Sequence, residues 1–217
     1  MLATAAAIGF IHTILGPDHY VPFVAMAKAR NWTRRKTLAV TILCGIGHVT
    51  SSVIIGAVGL LFGVEILKIS KLESVRGDIA GWLLLGFGLA YMIWGMRVAV
   101  KKRSSLTHTH GAITHTHLGH EETTNITPWV IFTIFVFGPC EPLIPLLMYP
   151  AARSDAFSVF AVCTTFALVT IGTMSAVVIT SLRGLSFLPL QNIGRYSHAL
   201  AGFAVFLCGV AVSFVGL

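Results

Sequence analysis

Six stretches of the chain are apolar for long enough to cross a bilayer, roughly residues 2–27, 37–63, 79–100, 128–150, 156–182 and 196–217. About 20 apolar residues rising ~1.5 Å each cover the ~30 Å of hydrocarbon in a membrane. The stretches lack the alternation of barrel strands, and a helix satisfies its backbone polar groups within the segment. The pattern therefore predicts an all-α, polytopic membrane protein with six transmembrane helices. Little chain remains for a soluble domain.

Polar and helix-breaking residues recur at a fixed offset. Gly16-Pro17-Asp18-His19 in the first stretch is matched by Gly138-Pro139-Cys140-Glu141 in the fourth, 122 positions later. Ala80-Gly81-Trp82 in the third is matched by Ala201-Gly202-Phe203 in the sixth, 121 positions later. Glycines follow at 88 and 95 in the first copy and at 209 and 216 in the second, a two-turn spacing suited to close helix packing. Two matches at nearly one offset predict three spans repeated. Because three is odd, the second copy enters from the opposite side, giving two inverted three-helix repeats. Residues 1–100 form the first repeat, 101–127 a loop and 128–217 the second repeat. Prolines 17, 22, 139, 142 and 145 fall in the matched segments of spans 1 and 4, which are therefore expected to be broken helices.

Composition agrees with membrane insertion: 55% of residues are hydrophobic, only 11% are charged, and mean hydropathy is +0.84. A net charge of +7 would suit a nucleic-acid binder if it formed a patch. Instead it marks alternate loops. Lys28, Arg30, Arg34, Arg35 and Lys36 follow span 1; Arg97, Lys101, Lys102 and Arg103 follow span 3; Arg183 and Arg195 bracket the connection of spans 5 and 6. The other loops carry Lys68, Lys71, Arg76 and Arg153 accompanied by Glu65, Glu73, Asp78 and Asp155. The positive-inside rule then places both termini outside and the central loop in the cytoplasm, for a multi-pass protein of the cell membrane whose partner is the lipid bilayer. With no basic n-region, span 1 is expected to be mature structure. Cys44, Cys140, Cys163 and Cys208 all lie in apolar stretches without a Cys-x-x-Cys pair, which argues against a disulfide framework.

Ionisable side chains in membrane spans are costly and mark function by default. His12, Asp18 and His19 lie in span 1, His48 in span 2, and Cys140 and Glu141 in span 4. Thr41, Cys44, His48 and Ser51/Ser52 make a polar stripe on span 2, with Cys163, Thr170, Thr173 and Thr180 its counterpart on span 5. Imidazole, carboxylate and thiolate together suit a borderline divalent ion, Ni2+ or Co2+ with Zn2+ and Fe2+ also compatible, and a proton relay would draw on the same histidines and carboxylates. His12, Asp18, His19, His48, Cys140 and Glu141 are the candidate metal-ligating set, with His12 as readily a packed core histidine. Cys44, Cys163 and Cys208 read as packing residues. His108, His110, His115, His117 and His120 crowd the central loop beside Glu121 and Glu122, a composition that binds metals. No phosphate-binding glycine loop is present, no enzyme is expected, and the metal is expected as a substrate rather than a permanently bound cofactor.

The segment His12 to His19 resembles the His-x4-Asp-His signature of nickel/cobalt transporters, and Gly47-His48-Val49-Thr50-Ser51 resembles a Gly-His-Ser segment of the same family. The central His-rich loop followed by Gly138-Pro139-Cys140-Glu141-Pro142 resembles the six-span UreH-like, nickel/cobalt efflux-type proteins. That resemblance implies a membrane transporter for Ni2+ or Co2+. Gly138 to Pro142 also resembles the Pro-Cys segment of membrane thiol–disulfide electron carriers of cytochrome c biogenesis, in which Asp18 would occupy the place of the second cysteine. A third reading, anion export within the same broad superfamily, would call for Lys or Arg inside the spans.

Overall fold

The computed structural model describes residues 1–62, 66–104, 127–138, 140, 142–152, 155–186 and 194–215. The described residues are helical, with no strand among them: α1 (Leu2–Leu15), α2 (Val21–Ala29), α3 (Arg34–Leu61), α4 (Ile66–Ser104), α5 (Thr127–Phe137), α6 (Leu143–Ala152), α7 (Ala156–Ser186) and α8 (Ser197–Val210). Four helical stretches are long and apolar enough to cross a membrane, Arg34–Gly59, Leu67–Lys101, Ala156–Ser186 and Gly194–Val215. Leu2–Leu15 and Thr127–Phe137 are shorter apolar helices. The chain is a multi-pass membrane protein. Large apolar side chains such as Ile54, Trp82, Phe160 and Leu168 are more than half exposed, whereas Thr41, His48, Ser52 and Glu73 are buried. That distribution suits a lipid exterior and a polar interior.

The local sequence explains the first break. α1 stops at Leu15 because Gly16 is extended and Pro17 offers no N–H to continue the ladder. Pro17–His19 make a single tight turn, and α2 restarts at Val21 with Pro22 in its first turn, where a missing N–H costs nothing. Asn31, at φ 51°, takes the left-handed position after α2, and the Trp32 N–H reaches back to the Ala27 carbonyl at 2.9 Å. This is the 6→1 bond that closes many helix C-termini. Thr33 then caps α3 by accepting from the Lys36 N–H at 3.2 Å. Arg30 lies over the rings of Tyr91 and Trp94, at 5.5 and 5.4 Å, and Tyr91 Oη meets His198 Nδ1 at 2.8 Å, which ties the end of α2 to α4 and α8. His198 thus has a packing role at the end of α8.

The most extensive helix contact is between α4 and α8. A methyl group on Gly88 would collide with the backbone of Phe206, and one on Gly202 with the backbone of Met92. The glycine runs therefore let these two helices touch backbone to backbone, as their spacing predicts. α1 packs on α7, α3 on both α7 and α5, α2 on α8, and α6 on α7. Two apolar clusters result, one including Phe23, Phe135, Met174 and Val205, the other Ala5, Val49, Cys140 and Phe166.

Six crossing helices were expected; four are long enough, the first and fourth windows hold the shorter helices α1 and α5, and the third window differs in where its helix begins. α4 runs for 39 residues, about 58 Å, and begins well before the predicted start at 79. Its early turns hold Glu73 and Arg76, expected in an external loop and here buried in the bundle.

Candidate functional site

Three histidines from three local structures meet inside the bundle. His12 comes from the last turn of α1, His19 from the tight turn after it and His48 from the middle of α3. One ring nitrogen of each lies within 4.8 Å of the other two. Ring centroids are 4.7 Å apart for His12 and His19, 5.1 Å for His19 and His48, and 6.3 Å for His12 and His48. His19 and His48 are buried, at 2% and 1% exposure, and His12 is half-buried. Phe135 of one apolar cluster and Phe166 of the other flank them.

The tautomer of His19 follows from its neighbours. Its Nδ1 faces the Asp18 carboxylate at 3.0 Å and the Gly16 carbonyl at 3.2 Å, both acceptors. The proton must therefore sit on Nδ1, which leaves Nε2 of the neutral ring as a bare lone pair. Gly16 permits this turn: a Cβ there would lie 2.5 Å from His19 Nδ1 and 2.8 Å from Asp18 Oδ1. The Nε2 atoms of His12 and His19 are buried without a hydrogen-bond partner, and the His48 ring has the Phe135 backbone as its one neighbouring partner, which leaves a nitrogen of each ring unsatisfied.

The second break is held differently. Cys140 is fully buried, and its backbone N–H donates to Glu73 Oε2 at 3.1 Å. Glu73 also accepts from Ser52 Oγ at 2.9 Å and is paired with Arg76. Arg76 donates to Ser51 Oγ at 2.8 Å, to the Val136 carbonyl at 2.7 Å and to the Gly138 carbonyl at 3.4 Å. The carbonyls left over at the end of α5 are thus satisfied by a guanidinium from α4. Gly138 reaches the histidines as well, since a Cβ there would come within 3.1 Å of His48 Nδ1.

Of the predicted ligands, the structure gathers His12, His19 and His48, with Asp18 behind His19. Cys140 is not part of that group and belongs to the Glu73–Arg76 network. Glu141 and the loop histidines His108, His110, His115, His117 and His120 lie outside the described residues. Of the polar stripe on α7, Thr170 is buried while Thr180 is exposed and donates to its own helix. Glu73 and Arg76 were missed because their charges read as a loop. The available signal was an acidic and a basic residue three apart, directly continuous with an apolar stretch. Arg76 does supply a buried cation, but its donors are engaged by Glu73, Ser51, Ser52 and two carbonyls.

Residues 20–213 match the family described as the cytochrome c biogenesis protein transmembrane region. The chain belongs to that family. No curated protein and no solved structure matches it. The match overturns the resemblance to nickel/cobalt transporters, and with it the expectation of a divalent metal as transported substrate. The motif was also off by one residue: five positions, not four, separate His12 from Asp18.

Proposed function

We propose that the protein carries reducing equivalents across the membrane as a thiol–disulfide carrier of the cytochrome c biogenesis type, with Cys140 as its reactive thiol. The observation that carries this reading is the placement of Cys140. It lies within the segment that matches the family, at an interrupted helix whose backbone is held open by Glu73 and Arg76. No cysteine stands at position 18, so the partner has to come from elsewhere in the bundle. Half-buried Cys163 of α7 packs against the same apolar cluster as Cys140, whereas Cys44 and Cys208 belong to the other cluster. In the proposed cycle Cys140 and Cys163 close a disulfide by exchange with a partner disulfide on one side, which takes the two electrons and two protons and leaves as a dithiol, and a dithiol on the opposite side reduces Cys140–Cys163 back to two thiols. A disulfide requires Cα atoms within about 7 Å, so α7 and the second break would draw together in the oxidised state.

Two further features support the setting. The packing is reciprocal, with the opening helix α1 on α7, the opening helix α5 on α3, and α4 on α8, as two inverted three-helix repeats would give. The basic loops favour both termini outside and the His-rich loop in the cytoplasm.

The test uses proteoliposomes loaded with a reductant and surrounded by a disulfide reporter. The parent protein is expected to reduce the reporter, and Cys140→Ser and Cys163→Ser each to lose that activity. A Cys44→Ser/Cys208→Ser double variant should retain it. Mass spectrometry after oxidation should find Cys140 joined to Cys163. A Cys140 that stays reduced under every oxidant, together with full activity in Cys163→Ser, would sink the proposal.

A further inference from the structure

We propose that His12, His19 and His48 form a binding site for a single transition-metal ion of borderline softness, Zn2+ being the representative case, held in place as part of the folded protein. The proposal stands apart from the thiol reading, which uses other residues.

Four facts on the geometry converge. Three imidazoles supply nitrogens within 4.8 Å of one another, while ligands around a tetrahedral ion at ~2.1 Å would lie roughly 3.4 Å apart. Modest side-chain rotation closes that difference. Second, a nitrogen of each ring is orphaned. A buried polar atom without a partner costs about 1–3 kcal/mol, and one such nitrogen on each of three adjacent rings is hard to explain as packing. One cation satisfies one nitrogen from each ring at once. Third, Asp18 and the Gly16 carbonyl fix His19 in the tautomer that presents a lone pair at Nε2. A carboxylate behind a ligating imidazole orients the ring and raises its basicity, the usual arrangement around protein-bound metals. Fourth, the ligands come from α1, the first turn and α3, so a bound ion would pin the first break against α3.

The donor set is nitrogen only. That separates this site from the sulfur of Cys140, and neutral imidazoles favour Zn2+ and its neighbours over the hard ions Mg2+ and Ca2+. Metal was expected at this place, but as cargo passing imidazole, carboxylate and thiolate ligands. The structure groups three of one type.

The experiment is done on the full chain in detergent or nanodiscs, with His108, His110, His115, His117 and His120 replaced by Ser so that the loop cannot bind. Equilibrium dialysis against Zn2+ should leave one ion per chain. X-ray absorption should show a shell of nitrogen or oxygen neighbours with histidine scattering and no sulfur. His19→Ala with His48→Ala should abolish stoichiometric binding. Asp18→Asn, which preserves a hydrogen-bond acceptor, should weaken affinity by about 10–100-fold while keeping the nitrogen shell. Should the double variant fail to fold, the shell of the loop-substituted protein and the Asp18→Asn affinity decide the matter. Cys140→Ser should leave stoichiometry and shell unchanged, so failure of the thiol proposal is distinguishable from failure here. Absence of stoichiometric Zn2+, sulfur in the shell, or unaltered affinity in Asp18→Asn would overturn the proposal.

Discussion

The two helix breaks start from the same sequence device, a Gly-Pro step inside an apolar stretch, and satisfy their backbones in opposite ways. At the first break nearly everything is local. The Gly16 N–H donates to the His12 carbonyl, the His19 N–H to the Gly16 carbonyl, and the His19 ring to Gly16 and Asp18. At the second break the partners come from 60 to 67 positions away, Arg76 serving the carbonyls of Val136 and Gly138 and Glu73 the Cys140 N–H. A break that satisfies itself is preformed and can aim its side chain, here His19, at a neighbouring helix. A break satisfied from another helix takes its geometry from that helix, so the setting of Cys140 depends on where α4 lies. His48 is where the two meet, in contact with the His19 ring on one side and with Gly138 on the other.

Removing the distant support should have the largest effect. Arg76→Ala leaves the Glu73 carboxylate buried without its counter-ion and strips two carbonyls of their donor. Breaking a buried ion pair from one side costs about 3–5 kcal/mol. Thermal unfolding in detergent should report a loss of that size. Hydrogen exchange should locate it, with protection falling over α5 and α6 before it falls over α1 and α2. Equal loss at both breaks would mean that the second is not specifically held by α4.

The converse experiment acts on the first break. Asp18→Ala removes the carboxylate that accepts from His19 Nδ1, a charge-assisted bond worth about 1.5–3 kcal/mol. The deficit should be smaller than for Arg76→Ala, and exchange should rise around residues 12–20 while the α5 end stays protected. If exchange instead rose around Cys140, the first break would also be held by distant contacts, and the contrast would fail.

The same contrast explains what could be read without coordinates. Glycine spacing foretold close packing of the helices that carry it, though not that α4 and α8 pack on each other, and Pro17 and the 138–142 segment marked both interruptions, because each is a local pattern in the chain. His12, His19 and His48 stood out because imidazole in an apolar stretch is rare, but within a larger candidate set that also held Asp18, Cys140 and Glu141. The Glu73–Arg76 network was not legible. Charge near an apolar window reads as the end of a span, and only tertiary packing shows that α4 continues and carries the pair inside. The identity of the chemistry was misread for a related reason: a near-match of histidine spacing carried the transporter resemblance, whereas the family match spans nearly the whole chain.

A third helix end supplies a control in water, and the smallest expected effect. Asp155 precedes α7 and is exposed; its carboxylate accepts from the Ser158 N–H at 3.1 Å and from the Ser158 hydroxyl. Like the first break it is satisfied within three residues, but outside the spans. The Ser158 hydrogen bonds hold the Asp155 carboxyl below its ordinary value. Because the folded-state value is the lower one, the cap stabilises α7 above the ordinary carboxylate range. That contribution is lost as pH falls through the depressed value. Asp155→Ala should therefore lower the melting temperature slightly at neutral pH, and the gap to the parent should close on acidification below about pH 4. Asp155→Asn keeps an uncharged acceptor and should show a smaller gap, which also narrows on acidification because the parent carboxylate titrates there and the amide does not. Neither variant should alter exchange at Gly16–His19 or around Cys140. A shift at either place would show that the start of α7 is coupled to the breaks, and that the second depends on more than α4.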